Sequence, residues 1–254
     1  MILDNLECLS IQQQETDFPK HYHETFCISL IYKGIEVIKT NNQDFYSEVG
    51  SITITNPYEI HSNPLIDKNI QLSFDTIYIS KDLMKYLLNG KNITFLNRKI
   101  ISLNANLLFI ELKNAIGTNN IKKIEALLSK FVHVIKHYSQ DKKEEYSEFN
   151  ISNFNTICDY IENNLTEKFN LEELSKIANI NKYGFAKKFK TSTGMSPMNY
   201  ILMKKIFSSK KLITKSSELT QIAYNYDFYD LAHYSKSFKR YIGISPKKYQ
   251  NILT

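Results

Sequence analysis

Hydrophobic positions along the chain change their period part-way through. Between Thr25 and Ile79 they fall into short β-rich runs, Thr25 to Tyr32, Ile35 to Thr40, Ser51 to Thr55 and Asn69 to Ile79. Turn signals at Lys33-Gly34, Asn41-Asn42, Val49-Gly50 and Asn56-Pro57 separate the runs. Closely spaced strands of this kind predict a small barrel or sandwich. Further on the spacing becomes helical: Ile121, Ile124, Leu128, Phe131, Ile135 and Tyr138 step by three and four, a two-heptad seam. Leu127, Val132 and Val134 widen that stripe, so packing against the barrel competes with pairing to a second chain, and pairing is the preferred expectation. Charged and polar Asp141 to Glu148 reads as a linker.

The last third of the chain contains a repeat. Phe189 to Tyr200 and Phe238 to Tyr249 both spell F-K-x-x-x-G-[MI]-S-P-x-x-Y, at an offset of 49. Upstream the match continues at an offset of 48, pairing Leu174-Ser175 with Ile222-Ala223, Asn179 with Asp227 and Ile180 with Phe228. The second copy therefore has one extra residue in its turn. Each copy reads as a short helix, a tight turn and a second helix. Leu171, Leu174, Ile177 and Ala178 carry the first helix of the first copy, Asn179 suits a left-handed turn, and Asn181 can cap a helix that buries Phe185 and Phe189. In the second copy Ile222, Ala223 and Tyr226 lead to Asp227 in the turn, Asp230 as N-cap, and Tyr234 and Phe238 as the buried face. Gly194 and Gly243 mark helix ends, and Ser-Pro after each starts another helix. Between the copies a helix from Pro197 to about Thr214 is expected, near 25 Å long at roughly 1.5 Å per residue. Small Ser175 and Ala223 stand where the paired helices must approach closely. This is helix-turn-helix chemistry, in which the second helix lies in the major groove of DNA; a duplicated helical hairpin without nucleic acid is the plainer alternative.

Charge sharpens the picture. Of 254 residues, 32 are Lys or Arg and 26 are Asp or Glu. Residues 150 to 254 hold 16 basic against 8 acidic side chains, a balance of +8, whereas residues 1 to 149 hold 16 against 18, a balance of −2. One part of the chain thus suits a polyanion, double-stranded DNA first and a membrane surface second. Arg98 and Arg240 are the only arginines. Lysine binds phosphate as a point charge but lacks the planar fork that arginine offers guanine, so base readout must lean on other contacts. The amino terminus has no basic run leading into an apolar one and no apolar stretch approaches the roughly 20 residues of a membrane span, so a cytoplasmic protein with no membrane partner is expected. Cys8, Cys27 and Cys158 are far apart, which argues against disulfides or structural zinc.

The two motif copies, from Leu171 and from Ile222, strongly resemble the paired motifs of AraC/XylS family transcriptional regulators. The resemblance covers about 100 residues. It implies two recognition helices entering successive major-groove segments. Positions matching the family's DNA-contacting residues are Lys182, Tyr183, Ala186, Lys187 and Lys190 in the first unit and Leu231, Ala232, Ser235, Lys236 and Lys239 in the second. Asn179 and Asp227 stand where the family usually has Gly, and Lys187 and Lys236 where it commonly has Arg. Asn and Asp tolerate positive φ, so the turns should form. Lysine, with Leu231 and Ala232 in place of polar residues, shifts the expected readout toward thymine methyls and DNA shape.

The order His21-Tyr22-His23-Glu24, a strand, Gly34, Gly50, then Asn56 to His61 resembles the cupin-type sensor domain of the same family. The fold class expected is therefore α+β: a cupin-like barrel sensor over residues 1–98, linker and dimerisation helices over 99–149, and an all-α double helix-turn-helix domain over 150–254. A cupin metal site needs a Glu shortly after His23, but Cys27 and Ile28 stand there. His21, His23 and His61 accordingly read as barrel hydrogen-bonding groups or the lining of an effector pocket, with no metal and no cofactor expected. No nucleophile triad, phosphate loop or EF-hand appears, and a non-enzyme is expected. Partners implied are double-stranded DNA, an unknown small-molecule effector, a second copy of the chain as a homodimer, and RNA polymerase. Two alternatives stay open: a metal-dependent cupin enzyme fused to DNA-binding helices, and a constitutive DNA-binding protein whose barrel only dimerises. The effector, the operator and the sign of regulation are not legible.

Overall fold

A computed structural model describes residues 6–67, 71–142 and 154–253. The chain forms two compact units, Met1–Asp17 with Tyr22–Glu148, and Phe18–His21 with Phe149–Thr254. The first unit contains β1 (Glu7–Gln14), and the short β2 (Phe18–His21) that follows belongs to the second. The first unit continues with β3 (Thr25–Lys33), β4 (Ile35–Lys39), β5 (Asp44–Glu48), β6 (Ile52–Thr55), β7 (His61–Asn63) and β8 (Leu72–Ser80). Helix α1 (Lys81–Leu87), strands β9 (Ile93–Thr94) and β10 (Lys99–Ile100), helices α2 (Leu103–Gly117) and α3 (Ile121–Lys136) and strand β11 (Gln140–Asp141) complete it.

One sheet of this unit runs β1-β8-β3-β6-β10, and a second contains β7-β4-β5 in order. The β1/β8, β3/β8, β3/β6, β6/β10, β4/β5 and β4/β7 pairings are all antiparallel, and successive side chains alternate between two faces of each sheet. One face of the larger sheet packs on the helices: Phe26, Ile28, Leu30, Ile52, Ile54, Ile77 and Ile79 join Phe109, Leu112, Leu128, Phe131 and Ile135 in a single apolar core. Ser80, Ser102 and Asn120 cap α1, α2 and α3 through their side-chain oxygens.

The expected seam on α3 is buried inside its own unit. Ile124, Leu128, Phe131 and Ile135 lie in the core, against α2 and the sheet, while Ile121 and Tyr138 are exposed. Its apolar residues are therefore occupied by the barrel's own elements, and pairing through that seam, the preferred expectation, is corrected. Asp141 pairs in β11; the rest of the expected linker, from residue 143, lies outside the described residues, as do the first residues of the strand expected from Asn69, whose described part starts at Leu72.

The second unit is helical apart from β2. It contains α4 (Asn155–Asn163), α5 (Leu171–Ile177), α6 (Lys182–Thr193), α7 (Pro197–Lys210), α8 (Leu219–Asn225), α9 (Leu231–Ile242) and α10 (Pro246–Ile252). The linking helix α7 has 14 residues, about 21 Å, and ends at Lys210 rather than near Thr214.

Candidate DNA interface and barrel interior

Both helix-turn-helix copies are built by the same local chemistry. Asn179 at φ 52° and Asp227 at φ 58° turn the chain in the left-handed region. Asn181 then caps α6 by accepting from the Gly184 amide at 2.8 Å, and Asp230 caps α9 by accepting from His233 at 2.7 Å. From turn residue to cap is two positions in the first copy and three in the second, the extra residue of the repeat. Gly194 at φ 70° and Gly243 at φ 90° end α6 and α9, and Ser196 and Ser245 cap the Pro-initiated α7 and α10. Phe185 and Phe189 anchor α6, Tyr234 and Phe238 anchor α9, and all four are fully buried.

Helix α7 carries lysines that sequence reasoning missed. Lys204 and Lys205 are buried, unlike the lysines of α6. Lys204 pairs with Glu162 at 2.8 Å, the same carboxylate that accepts from the Tyr200 hydroxyl at 2.6 Å. Lys205 donates to the Glu167 carbonyl at 2.9 Å and to the Asp227 carboxylate at 3.4 Å, tying α7 to the turn of the second copy. Burial, set against the pull of Asp227, holds the Lys205 pKa below its usual value.

In the first unit His23 and His61 lie with ring centroids 5.6 Å apart. The His61 ring is fully buried with Nδ1 2.8 Å from the Glu59 carbonyl; burial is the main cause pushing its pKa down to about 4, and nearby Arg98 adds to it. His21, on β2, belongs to the second unit, with Nδ1 2.7 Å from the Pro19 carbonyl. Arg98 pairs with Glu59 at 2.5 Å and lies over the Phe45 ring. Registers place Ser29, Thr53 and Thr76 on the face of the larger sheet away from the helices, where Ser29 and Thr76 hydroxyls meet at 2.7 Å.

Two family models match the chain, an AraC-like ligand binding domain over residues 5–118 and a helix-turn-helix domain over residues 174–252. The chain is an AraC-family transcriptional regulator. Among its relatives, the HTH-type regulator YbfI of Bacillus subtilis is 25% identical over 223 residues, covering 85% of this chain and 81% of YbfI. The transcriptional activator RhaS of Escherichia coli is 20% identical, covering 92% of this chain and 87% of RhaS. ToxT of Vibrio cholerae shares the fold, with a TM-score of 0.55 at 18% identity over 98% of this chain and 97% of ToxT. The α+β architecture, a β-rich ligand-binding-type domain followed by a helical DNA-binding domain, is thus that of the family, and the relatives are regulators.

On this regulator the family-matched residues are presented unevenly. Lys182, Tyr183, Lys187 and Lys190 on α6 are exposed, Tyr183 at 88%, while Ala186 is half-buried between them. On α9, Leu231, Ala232 and Lys236 are exposed, and Ser235 and Lys239 are half-buried. Tyr229, 87% exposed in the longer second turn, was not singled out from sequence; its signal was the inserted residue itself. Among the described residues no helix is long and apolar enough to cross a membrane.

Proposed function

We propose that this regulator reads two successive major-groove segments with α6 and α9 and that its barrel binds a small-molecule effector that alters DNA binding. The observation that carries the first half is the repeated construction of two N-capped helices, each anchored by two buried aromatics and each offering lysines on its open side. In this reading Lys182, Tyr183, Lys187 and Lys190, with Leu231, Ala232, Ser235, Lys236 and Lys239, face the duplex, and Ala186 allows close approach to it. Recognition helices so placed contact sites centred roughly 34 Å, or 10 base pairs, apart on one face of the duplex. Hydroxyl-radical footprinting on a selected operator is the test: two protected patches on one face support the model, and a single patch sinks it.

The second half is supported by the match to a ligand-binding domain and by the buried polar groups of the barrel. A ToxT structure of the same fold holds an unsaturated fatty acid. His23 and His61 belong to the proposed sensing region, with His21 as a further candidate. The regulator acts in the cytoplasm as a homodimer and contacts RNA polymerase in this reading, without catalysis. In this reading the copies pair through α2, a choice supported by Leu103, Leu107 and Ile110, which recur at helical spacing and are exposed, Leu103 at 76%. Sedimentation of the Leu103→Lys variant as a monomer against a dimeric parent would support that surface.

A further inference from the structure

The strands β4 to β7 carry a cluster of buried polar side chains for which DNA binding has no use. Glu36 of β4 is 4% exposed and Ser47 of β5 is 0% exposed, and the two stand opposite each other in the β4/β5 register. Asn63 of β7 donates Nδ2 to Glu36 Oε1 at 3.1 Å, and Gln14 of β1 donates Nε2 to the Asn63 carbonyl at 3.2 Å. Thr53 of β6 acts on the same carboxyl, though its Oγ1 stops short of a hydrogen bond. Among the described residues Glu36 Oε2, Ser47 Oγ and Thr53 Oγ1 are thus buried with no hydrogen-bond partner. Buried polar atoms are normally satisfied, and three such oxygens, on Glu36, on Ser47 opposite it in register and on Thr53 of the other sheet acting on its carboxyl, ask for a common partner.

The charge of the cluster narrows what that partner is. The influences on the Glu36 carboxyl, largest first, are burial, Thr53 and Asn63, and no cation pairs with it among the described residues. On the neighbouring strands Asp44 and Glu48 are exposed and pair with Lys39 and Lys99, and His61 is held neutral by burial. An ionised Glu36 is therefore an uncompensated buried charge, a costly arrangement unless a cation meets it.

We infer that Glu36, Ser47 and Thr53 form a ligand site in the barrel and that the ligand it takes presents a protonated primary amine. This rests on the reading of the barrel as the sensing domain and names the chemistry sensed there. An ammonium group offers three donors and no acceptor, the complement of three unpartnered oxygens one of which can be anionic. A neutral polyol could satisfy the hydroxyls but would leave Glu36 in its protonated form and gain nothing as pH rises, and a carboxylate would be repelled by the ionised form. Burial holds the free carboxyl up at about 7, so amine binding expels a proton and tightens as pH rises from 6 to 8.

The test uses the full chain, with thermal unfolding and calorimetric titration at pH 6 and pH 8. Propylamine and 1,4-diaminobutane are the probes, set against 1-propanol, glucose and propionate. The amines are expected to raise the melting temperature and to do so more at pH 8. Glu36→Gln should lose at least tenfold in amine affinity. Ser47→Ala, a milder change, should lose less and stands in should the first variant not fold. Equal amine affinity in both variants and the parent, or no amine binding, overturns the inference. A shift produced only by glucose or propionate and weakened by Ser47→Ala overturns the amine class while leaving the barrel as a sensing domain. Whether any bound probe alters operator affinity tests that sensing role separately.

Discussion

Glu36 ties stability to pH in the ligand-free protein. Burial raises its carboxyl from the ordinary 4.5 to about 7, so the folded state holds the proton more tightly than the unfolded chain. The sign follows: this contribution is full below about 4.5, falls as pH rises, and is lost by the time pH has passed 7. The shift corresponds to about 3 kcal/mol. Glu36→Gln should therefore match the parent near pH 4.5 and exceed its stability at pH 8 by roughly that amount, measured by urea unfolding without added amine; an equal difference at both pH values would refute this. At the DNA surface the exposed lysines carry the argument. Lys187→Ala and Lys236→Ala should each weaken operator binding by about 1–3 kcal/mol, whereas Lys122→Ala, exposed on α3 of the other unit, should leave it unchanged. Equal losses at all three positions in a gel-shift titration would mean that charge alone, without helix geometry, governs binding.

Among the elements, the turns of the second unit are where residue chemistry decides form. Asn179 accepts positive φ at little cost, and replacing it by Ala should cost about 1–2 kcal/mol through backbone strain alone. Asn179→Gly should stay close to the parent, because Gly removes strain while adding entropy to the unfolded chain. Asp227→Gly should be worse than Asn179→Gly, since it also frees the buried Lys205 of its carboxylate partner. Thermal unfolding of the three variants checks the ranking, and equal effects of the two glycines would remove the Lys205 tie from the account. These helices were legible in sequence because caps, turn residues and aromatic anchors recur twice in one order. The barrel was legible only in part. β5 reads Asp-Phe-Tyr-Ser-Glu, with Tyr46 outside and Ser47 inside, so hydrophobicity there is inverted relative to burial. β1 breaks its alternation at an irregularity between Ile11 and Gln14. Of the strands that line the polar cluster, β4 and β6 were legible as the runs Ile35 to Thr40 and Ser51 to Thr55, whereas β5 was hidden by the same side chains that make the cluster chemically informative. On α3 the periodicity was read correctly as a helix, but periodicity cannot tell which partner covers a stripe, and α2 with the sheet does so.

For the whole molecule, charge is divided between the units, with a balance of +8 over residues 150 to 254 and −2 over residues 1 to 149. Such a division confines polyanion attraction to the helical unit and makes binding a matter of counterion release. Lys182, Lys187, Lys190, Lys236 and Lys239 are the five lysines on the proposed contact faces. If each neutralises one phosphate and contributes roughly 0.9 to the slope, the logarithm of affinity should fall against the logarithm of salt with a slope of about 4.5. Between 50 and 200 mM salt that is a loss of roughly 500-fold. Buried Lys204 and Lys205 are committed to Glu162, Glu167 and Asp227 and should add nothing to the slope. Lys190→Gln should lower it by about 0.9 on specific and nonspecific duplexes alike, because a phosphate contact carries no sequence information. The measurement is fluorescence anisotropy of the full chain on both duplexes across a salt series. A slope near zero would remove the phosphate contacts from the model, and a normal slope that Lys190→Gln leaves untouched would place them on a face other than α6.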